Sequence, residues 1–329
     1  MPARVETYRA DVVIPCYQEQ DALPLTAPDI LSYFRKLQVS PKNSMSSFRL
    51  LLIDDGSKDK TWDIIEKISR NNHEVIGIKL SRNYGHQMAM LSGLSHSSAD
   101  IIITMDADLQ DDIQAVEQML AAYESGSHLA LGVREDRTSD SPAKRWTANT
   151  FYRVLSLLGV NIIENHADFR LMSRRSLDAL LDHSEVNLFL RGLIPAIGFP
   201  VTLIPYTRKV RVAGETKYTI KKMLHLALDG VTSFSVAPLR VIAALGGIIF
   251  TLSILSGLYV IVERVFFPQN TIPGWASTVF PLLLLSGMQI FSVGVVGEYV
   301  GKIYMEVKKR PRFIVEEITP PNIDGNTRH

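Results

Sequence analysis

Two long apolar stretches near the carboxyl terminus constrain the fold of this 329-residue chain more than any other feature. Val241–Val262 reads VIAALGGIIFTLSILSGLYVIV, Thr278–Gly297 reads TVFPLLLLSGMQIFSVGVVG, and neither carries a charged side chain. As a helix, each is long enough to cross the hydrocarbon core of a bilayer, which is about 30 Å thick. The alternative is a pair of buried helices in a large soluble domain. The pattern favours two transmembrane helices, over residues 241–262 and 278–303.

Basic residues indicate how these helices are oriented. The connecting loop, 263–277, holds one basic residue, Arg264. Because lysine and arginine accumulate on the cytoplasmic side, both termini are predicted in the cytosol and this loop outside. The moderately amphipathic segment 223–240 is predicted to lie on the membrane surface, and residues 304–329 form a cytosolic tail. The flanking basic residues are Arg208, Lys209, Arg211, Lys217, Lys221, Lys222 and Arg240 before the first stretch, and Lys302, Lys308, Lys309, Arg310 and Arg312 after the second.

Residues 1–222 are predicted to form one cytosolic domain with a full core, since 46% of the chain is apolar. The net charge of +1 gives no general attraction to nucleic acid. The only cysteine, Cys16, excludes a disulfide within the chain, which suits a reducing compartment.

Short apolar runs alternate with helix-like runs in the first part of this domain. The alternation predicts an α/β fold with a mostly parallel sheet flanked by helices, in which ligands bind at the carboxyl ends of the strands. The predicted strands are Asp11–Pro15, Phe48–Ile53, Val75–Leu80, Ile101–Met105 and Leu129–Val133. The predicted helices are Thr61–Ser69 with Asp59 as its N-cap, Gly85–His96 and Ile113–Glu124.

Two acidic clusters come directly after predicted strands. DDGS begins at Asp54, and DADLQDD begins at Asp106. If the chain stays extended, Asp106 and Asp108 point to one face of the sheet. Two carboxylates there can hold Mg²⁺ or Mn²⁺, which neutralises a diphosphate. A solvated turn is the alternative for an isolated motif of this kind, but its place after Ile101–Met105 favours the metal site.

Two further segments carry candidate functional residues. Asp168 is a candidate general base with Arg170 as its partner, and a surface ion pair is the alternative. The basic segment 208–218 is a candidate site for a lipid phosphate or a nucleotide diphosphate. An ordinary positive flank of a membrane helix is the alternative for that segment.

A series of motifs runs along the chain: VVIPCYQEQ, DDGSKDKT, LSRNYGHQMAMLSGL, MDADLQDD, ADFRLMSRR, GETKY and, at the end, VGEYVGKIYMEVKKRPRF. In their order and spacing they resemble glycosyltransferase family 2, in the polyprenyl-phosphate branch that includes bactoprenol glucosyltransferase and dolichol-phosphate mannose synthase. The resemblance covers nearly the whole chain. It implies a GT-A fold and metal-dependent, inverting transfer of a sugar, with UDP as the favoured carrier, to polyprenyl (undecaprenyl) phosphate. It also implies a bacterial inner-membrane homo-oligomer that makes a lipid-linked sugar for cell-envelope glycans such as lipopolysaccharide, with a flippase acting downstream.

The resemblance also implies roles for individual residues. The nucleotide pocket is implied for Pro15, Tyr17, Glu19, Asp54 and Asp106. The metal and diphosphate are implied for Asp106, Asp108 and Gln110, catalysis for Asp108 and Asp168, and phosphate contacts for Arg134, Arg211 and Lys217. For His86, contact with the nucleotide and a structural role at a helix end both stay open.

Departures from the family pattern leave the substrate open. Asp111-Asp112 follows the metal motif where an Asp-Pro-Pro continuation is common, and His166-Ala167 precedes Asp168 where Thr-Gly is frequent. Glucose, N-acetylglucosamine, mannose and aminoarabinose all suit this framework, with UDP or GDP as carrier. A processive polysaccharide synthase, to which Arg145-Trp146 bears a partial likeness, and a non-enzymatic membrane scaffold or flippase partner are the alternative functions.

Overall fold

The structure is a computed structural model that describes residues 7–134, 163, 166–183, 185, 190–207, 237–266 and 275–320. The strands are β1 (Tyr8–Cys16), β2 (Met45–Asp54), β3 (Val75–Leu80), β4 (Ile101–Thr104), β5 (Leu129–Arg134), β6 (His166–Ser173), β7 (Val201–Tyr206) and β8 (Val315–Ile318). The helices are α1 (Leu23–Gln38), α2 (Thr61–Asn71), α3 (His86–His96), α4 (Ala115–Glu124), α5 (Arg174–Leu181), α6 (Leu190–Ala196), α7 (Ala237–Phe266) and α8 (Trp275–Val307). All five predicted strands and all three predicted helices are present, with small differences at their ends.

The strands form one mixed sheet in the order β7-β5-β6-β4-β1-β2-β3-β8. The central strands β4, β1, β2 and β3 are parallel, as predicted. Outside this centre, β6 runs antiparallel to both β4 and β5, and β8 runs antiparallel to β3. Strands β5 and β7 are parallel to each other and run in the same direction as the centre, so the sheet is mostly parallel as expected, and β6 and β8 are the two reversed strands. Short apolar runs identify buried strands, but they do not encode the direction in which a neighbouring strand arrives.

Helices cover both faces of the sheet, and each face has its own core. Val12 of β1 packs in the core beneath α1, α2 and α4. The next residue, Val13, packs in the opposite core beneath α3, α5 and α6. Both valines are 0% exposed, because a strand that is buried on two faces places successive side chains in different cores. This explains why the central strands read as continuous apolar runs.

Two details of the helices differ from prediction. Helix α1 was not anticipated, since Pro24 lies at its start and Pro28 lies inside it, although Phe34 anchors it in the core at 0% exposure. The N-cap residue of α2 is Lys60 and not Asp59. Asp59 still stabilises that helix start, because its Oδ1 accepts hydrogen bonds from the backbone N and the Oγ1 of Thr61, at 3.1 and 2.6 Å.

A buried carboxylate ties the parallel strands together at the edge opposite the predicted ligand site. Asp11 on β1 is 1% exposed, and Arg49 on β2 donates to both of its oxygens, at 2.8 and 2.7 Å. The hydroxyl of Ser97 and the backbone N–H groups of Ser98 and Ala99 also donate to its Oδ2, at 2.7, 3.1 and 3.2 Å. The segment that leads into β4 is thereby fixed to β1.

Helices α7 and α8 contain the two long apolar stretches and extend beyond both predicted spans. Within the described residues, one segment, Leu284–Val307, is long and apolar enough by composition to cross a membrane, and Leu239–Ile249 is a shorter apolar helical stretch. Large apolar side chains are exposed on both helices, with Leu252 57% and Ile290 74% exposed. Exposed apolar surface on this scale marks contact with lipid or with another protein. The described side chains of these stretches are thus not packed in a core, as those of buried helices in a soluble domain would be.

The chain returns to the sheet after α8. The predicted tail 304–329 contains the end of α8 and then strand β8, which was not anticipated. Beyond β8, Thr319 is 5% exposed. It donates from its backbone N to the carbonyl of Gly77 at 2.9 Å and accepts from the N–H of Gly77 through Oγ1 at 2.8 Å. Its Oγ1 also lies 2.8 Å from the Oγ of Ser69 on α2. The last part of the described chain is thus an integral element of the domain.

Candidate active site

The loops after β1 and β2 lie side by side at the carboxyl edge of the sheet. The backbone N of Gln18 donates to Ser57 Oγ at 3.0 Å, and that of Glu19 donates to Thr61 Oγ1 at 2.9 Å. Tyr17 is 42% exposed at this edge, where Pro15 is the last residue but one of β1. The predicted nucleotide residues of this loop are therefore brought next to the DDGS motif.

The two carboxylates of that motif have different surroundings. Asp54 is 0% exposed; its Oδ1 accepts from the backbone N of Ser57 at 3.2 Å, and its Oδ2 has no hydrogen-bond partner among the described residues. Burial raises the pKa of Asp54. Asp55 accepts from the backbone N–H groups of Tyr84 and Gly85, at 2.7 and 2.9 Å. Asp54 thus offers an acceptor oxygen, whereas Asp55 fastens the loop before α3. From the sequence, Asp55 belongs to the DDGS cluster, but no separate role was predicted for it.

Gly56 allows this fastening. Its φ is +63°, and a Cβ at this position would stand 2.3 Å from the carbonyl carbon of Arg82 and 2.6 Å from the backbone N of Asn83. The DDGS loop and the loop before α3 therefore touch backbone to backbone. Only glycine allows that approach, because any side chain would overlap the main chain of the neighbouring loop.

The chain does not stay extended through the second acidic motif. It turns at Ala107 and Asp108, and Leu109 has a φ of 50°. The backbone N of Gln110 donates to Asp108 Oδ1 at 3.2 Å, which closes the turn. The assumption of an extended motif is therefore wrong. The alternation of burial survives, since Asp106 and Asp108 are partly exposed while Ala107 is 4% exposed.

These residues fit a divalent cation that is shared with a substrate. Within the described part of the chain, no three or more His, Cys, Asp or Glu side chains converge closely enough to hold a metal ion by themselves. Asp106 and Asp108 supply two carboxylates, and the buried Gln110 has an Oε1 without a hydrogen-bond partner in the described residues. Mg²⁺ is commonly held by one or two carboxylates, with substrate phosphates and water as the other ligands.

Asp168 lies in the same cleft, on β6. The Nη2 of Arg170, which is 0% exposed, contacts its Oδ1 at 2.5 Å. The backbone carbonyl of Asp168 accepts a hydrogen bond from Thr104 Oγ1 on β4, also at 2.5 Å. On the open side, the Nε2 of His86 lies 3.5 Å from Asp168 Oδ2 and 3.6 Å from Asp106 Oδ1. The alternative of a surface ion pair is wrong, since both partners are buried.

Several negative charges gather around Asp106. Its pKa is raised, first by removal of the carboxylate from water and then by Asp168, Asp111 and Asp108, and the nearby His86 acts in the opposite direction. A cleft of this composition attracts cations.

A second group of contacts closes the cleft near β5 and β7. Tyr206 donates its hydroxyl hydrogen to Asp111 Oδ1 at 2.6 Å and accepts from Arg134 Nε at 3.2 Å. The Arg134 side chain is 32% exposed, and its Nη2 lies 3.6 Å from Asp111 Oδ1. Arg134 is thus at the cleft, while sequence reasoning missed Tyr206 because it lies far along the chain. Arg211 and Lys217, like Arg145 and Trp146, lie outside the described residues.

Comparison with known proteins gives matches over almost the whole chain. The model described as Glycosyl transferase family 2 matches residues 11–181, and the model described as GtrB C-terminal hairpin matches residues 237–303. The chain is 42% identical to the uncharacterized glycosyltransferase YkoT of Bacillus subtilis, over 93% of this chain and 90% of that protein. It is 33% identical to the prophage bactoprenol glucosyl transferase homolog of Escherichia coli, over 94% and 99%. The mixed sheet flanked by helices agrees with the GT-A arrangement that the resemblance implied.

Solved structures resemble the chain more distantly. The mannosyltransferase of Pyrobaculum calidifontis in complex with GDP-Man and Mn²⁺ is 14% identical with a TM-score of 0.44, over 91% of this chain and 89% of that one. At this level of similarity, nothing about the ligands of that enzyme carries over.

Proposed function

The chain belongs to glycosyl transferase family 2 and is a glycosyltransferase, and we propose that it transfers a sugar from a nucleotide diphosphate sugar, with UDP as the preferred carrier, to polyprenyl (undecaprenyl) phosphate. The main supporting observation is the acidic cleft at the carboxyl ends of β2 and β4 and the amino end of β6, in a chain that also contains two long apolar helices. The relatives named bactoprenol glucosyl transferase support a lipid phosphate as the acceptor.

The path of the chain supports two membrane crossings. Strand β8 follows α8, yet it pairs with β3, which precedes α7. Both ends of the helical hairpin therefore lie on the same side of any membrane, so the number of crossings is even. If Leu284–Val307 crosses the bilayer, α7 crosses it as well. Together with the basic flanks, this supports a cytosolic catalytic domain at the bacterial inner membrane.

The donor nucleotide occupies the side of the cleft formed by β1 and β2. Pro15, Tyr17 and Glu19 line the base and ribose, and the free Oδ2 of Asp54 accepts a hydrogen bond from a donor group such as a ribose hydroxyl. The sugar diphosphate then reaches the acidic turn at the end of β4.

Asp106 and Asp108, with Gln110 beside them, would hold a Mg²⁺ or Mn²⁺ ion, which would neutralise the charge on the departing diphosphate. Arg134 stands at the same cleft and contributes a fixed positive charge. We assign Arg211 and Lys217, in the segment before α7, to the phosphates of donor or acceptor.

The reaction is a single displacement. An oxygen of the polyprenyl phosphate attacks the anomeric carbon, a new C–O bond forms, and the bond to the diphosphate breaks as the nucleoside diphosphate leaves. An α-linked donor gives a β-linked product. A phosphate monoester with a second pKa near 6 is already ionised at neutral pH. The lipid phosphate can therefore attack without a general base. Asp168 instead stabilises the positive charge that develops on the sugar.

The site of the acceptor explains why the catalytic domain is attached to apolar helices. Exposing a polyprenyl tail to water costs about 0.8 kcal/mol per CH₂, so the enzyme works at the bilayer surface. The product is a lipid-linked monosaccharide for cell-envelope glycans, which a flippase would then carry across the membrane. We propose a homo-oligomer as the working form.

The test is incubation of the purified full chain with undecaprenyl phosphate, Mn²⁺ or Mg²⁺ and a panel of UDP- and GDP-sugars, with mass spectrometry of the lipid. One hexose or aminosugar per lipid is the expected product, and it requires the metal. A lengthening glycan would show a processive synthase, and donor binding without any transfer would show a non-enzymatic protein. Either result overturns the proposal.

A further inference from the structure

His86 occupies a position that the proposed reaction has not yet used. It is the first residue of α3, and its side chain is 45% exposed. Its Nε2 lies almost midway between two carboxylate oxygens, 3.6 Å from Asp106 and 3.5 Å from Asp168. Asp106 belongs to the turn after β4 and Asp168 belongs to β6, so a single imidazole joins two separate parts of the cleft.

Hydrogen bonds to Asp55 fix the loop that carries His86. Gly85 has a φ of +93°, and its N–H and that of Tyr84 both donate to the buried Asp55. The DDGS loop thus fixes the backbone at the start of α3 through Asp55 and through the contact of Gly56 with the backbone at residue 82. The imidazole is carried on this fixed backbone.

We propose that His86 is a positioning residue that, together with Arg170, holds the carboxylate of Asp168 from both sides. Arg170 contacts Oδ1 from the buried side at 2.5 Å, and His86 faces Oδ2 from the open side at 3.5 Å. Once the His86 contact closes to hydrogen-bonding distance, the carboxylate is fixed in rotation and presents its negative charge to the cleft. A hydrogen on Nε2 suffices for this contact, and the neutral imidazole also provides one.

The same imidazole also holds the carboxylates of Asp106 and Asp168 in position relative to each other. Asp106 and Asp168 have like charges and would turn away from each other if nothing stood between them. At 3.5 and 3.6 Å the imidazole is slightly beyond hydrogen-bonding distance of both oxygens, and contacts of this kind commonly tighten once the substrate binds. His86 thus couples the side of the cleft that takes the diphosphate to the side that faces the sugar.

This inference rests on the proposed function, and its test compares His86→Ala, His86→Gln and His96→Ala. His96 is the matched control, because it is an exposed histidine at the other end of α3 whose Nδ1 contacts only local groups, Ser92 and Ser95. His86→Ala is expected to lower kcat about 10- to 100-fold, as displacement of a catalytic group by about 1 Å does. The donor KM stays within about threefold, because donor binding is not its role.

Two readouts separate positioning from a merely structural role. Added imidazole is expected to restore kcat in His86→Ala, since the site is open to solvent, and to have no effect on Asp168→Asn. His86→Gln, which keeps an N–H donor, retains more of the rate than His86→Ala. A kcat within twofold of wild type for His86→Ala, or a lowered kcat that neither imidazole nor glutamine restores, overturns the proposal. So does a loss confined to donor affinity, which would make His86 a nucleotide contact.

A structure of His86→Ala tests the same point without turnover. The carboxylate of Asp168 is expected to rotate about its Cβ–Cγ bond, and an unchanged carboxylate overturns the proposal. If the wild-type protein transfers no sugar to any lipid phosphate, the proposed function fails while this structural test still decides the role of His86.

Discussion

The contact between the DDGS loop and the loop before α3 leads to a quantitative prediction for Gly56→Ala. The new methyl group would lie 2.3 Å from the carbonyl carbon of Arg82 and 2.6 Å from the backbone N of Asn83. Both atoms belong to the main chain, so no rotation of a side chain can relieve the overlap. One of the two loops has to move.

The matched control is Gly198→Ala, because Gly198 also has a positive φ, +83° against +63°, but has no atom of the described residues within 4 Å of its added Cβ. Both variants place an alanine in left-handed backbone, at a cost of about 1–2 kcal/mol. Only Gly56→Ala adds the overlap, which typically costs about 1–3 kcal/mol. The expected total is about 2–5 kcal/mol for Gly56→Ala, so the two variants differ by the overlap alone.

Thermal unfolding of the purified full chain measures this difference. For a domain of about 200 residues, 1 kcal/mol lowers Tm by about 2–4 °C, so Gly56→Ala is expected to melt roughly 2–12 °C below Gly198→Ala. Its kcat falls as well, because the displaced loop carries His86. Equal Tm values for the two variants, or a destabilised Gly56→Ala with undiminished kcat, would refute the reasoning.

Three further predictions concern single side chains. Asp108→Ala is expected to lose nearly all turnover at saturating donor, whereas Asp168→Asn leaves a measurable remainder because the acceptor is already ionised; wild-type rates in Asp108→Ala would contradict the metal assignment. Burial raises the pKa of the Cys16 thiol well above its ordinary value, so iodoacetamide at neutral pH should label the unfolded protein and spare the native one, as intact-mass spectrometry can show. The Arg35 side chain lowers the pKa of Glu74 through two hydrogen bonds of 2.8 and 2.9 Å. The pair therefore stabilises the fold fully above the unfolded pKa of about 4.5, and this contribution is lost as the pH falls from there through the lower pKa of the folded state. Because Arg35 is half exposed, Glu74→Gln should cost at most about 1 kcal/mol at pH 7, and a Tm difference from wild type that persists unchanged at pH 3 would contradict the lowered pKa.

Much of the central sheet could be predicted from the sequence. Strands that are buried on both faces, such as Ile101–Thr104, form apolar runs that can be recognised from their own residues alone. The position of Asp106 at the ligand edge followed from the general rule for the carboxyl ends of strands in such sheets. Asp168 reaches the same edge from the amino end of the antiparallel β6, which that rule does not predict. The turn at Asp108 could not be predicted in this way, because the left-handed backbone of Leu109 is not signalled by a glycine or asparagine.

The unpredicted parts depend on contacts between distant residues. Strand β8 reads VEEI and carries no clear strand pattern, so only its pairing with β3 defines it. His86 and Asp168 come together because β6 inserts beside β4, and nothing in the local sequence of either residue indicates that pairing. The roles of Asp55 and Tyr206 likewise became visible only when their hydrogen bonds were known.

The return of the chain to β3 has a practical consequence for anyone who alters the carboxyl end. Removal of residues 315–319 would leave the N–H and C=O groups of β3 without partners along a free sheet edge, which is a template for aggregation. A version shortened before β8 would therefore be more prone to aggregate than the full chain. Affinity tags are better placed beyond residue 320, where they leave the Gly77–Thr319 hydrogen bonds intact.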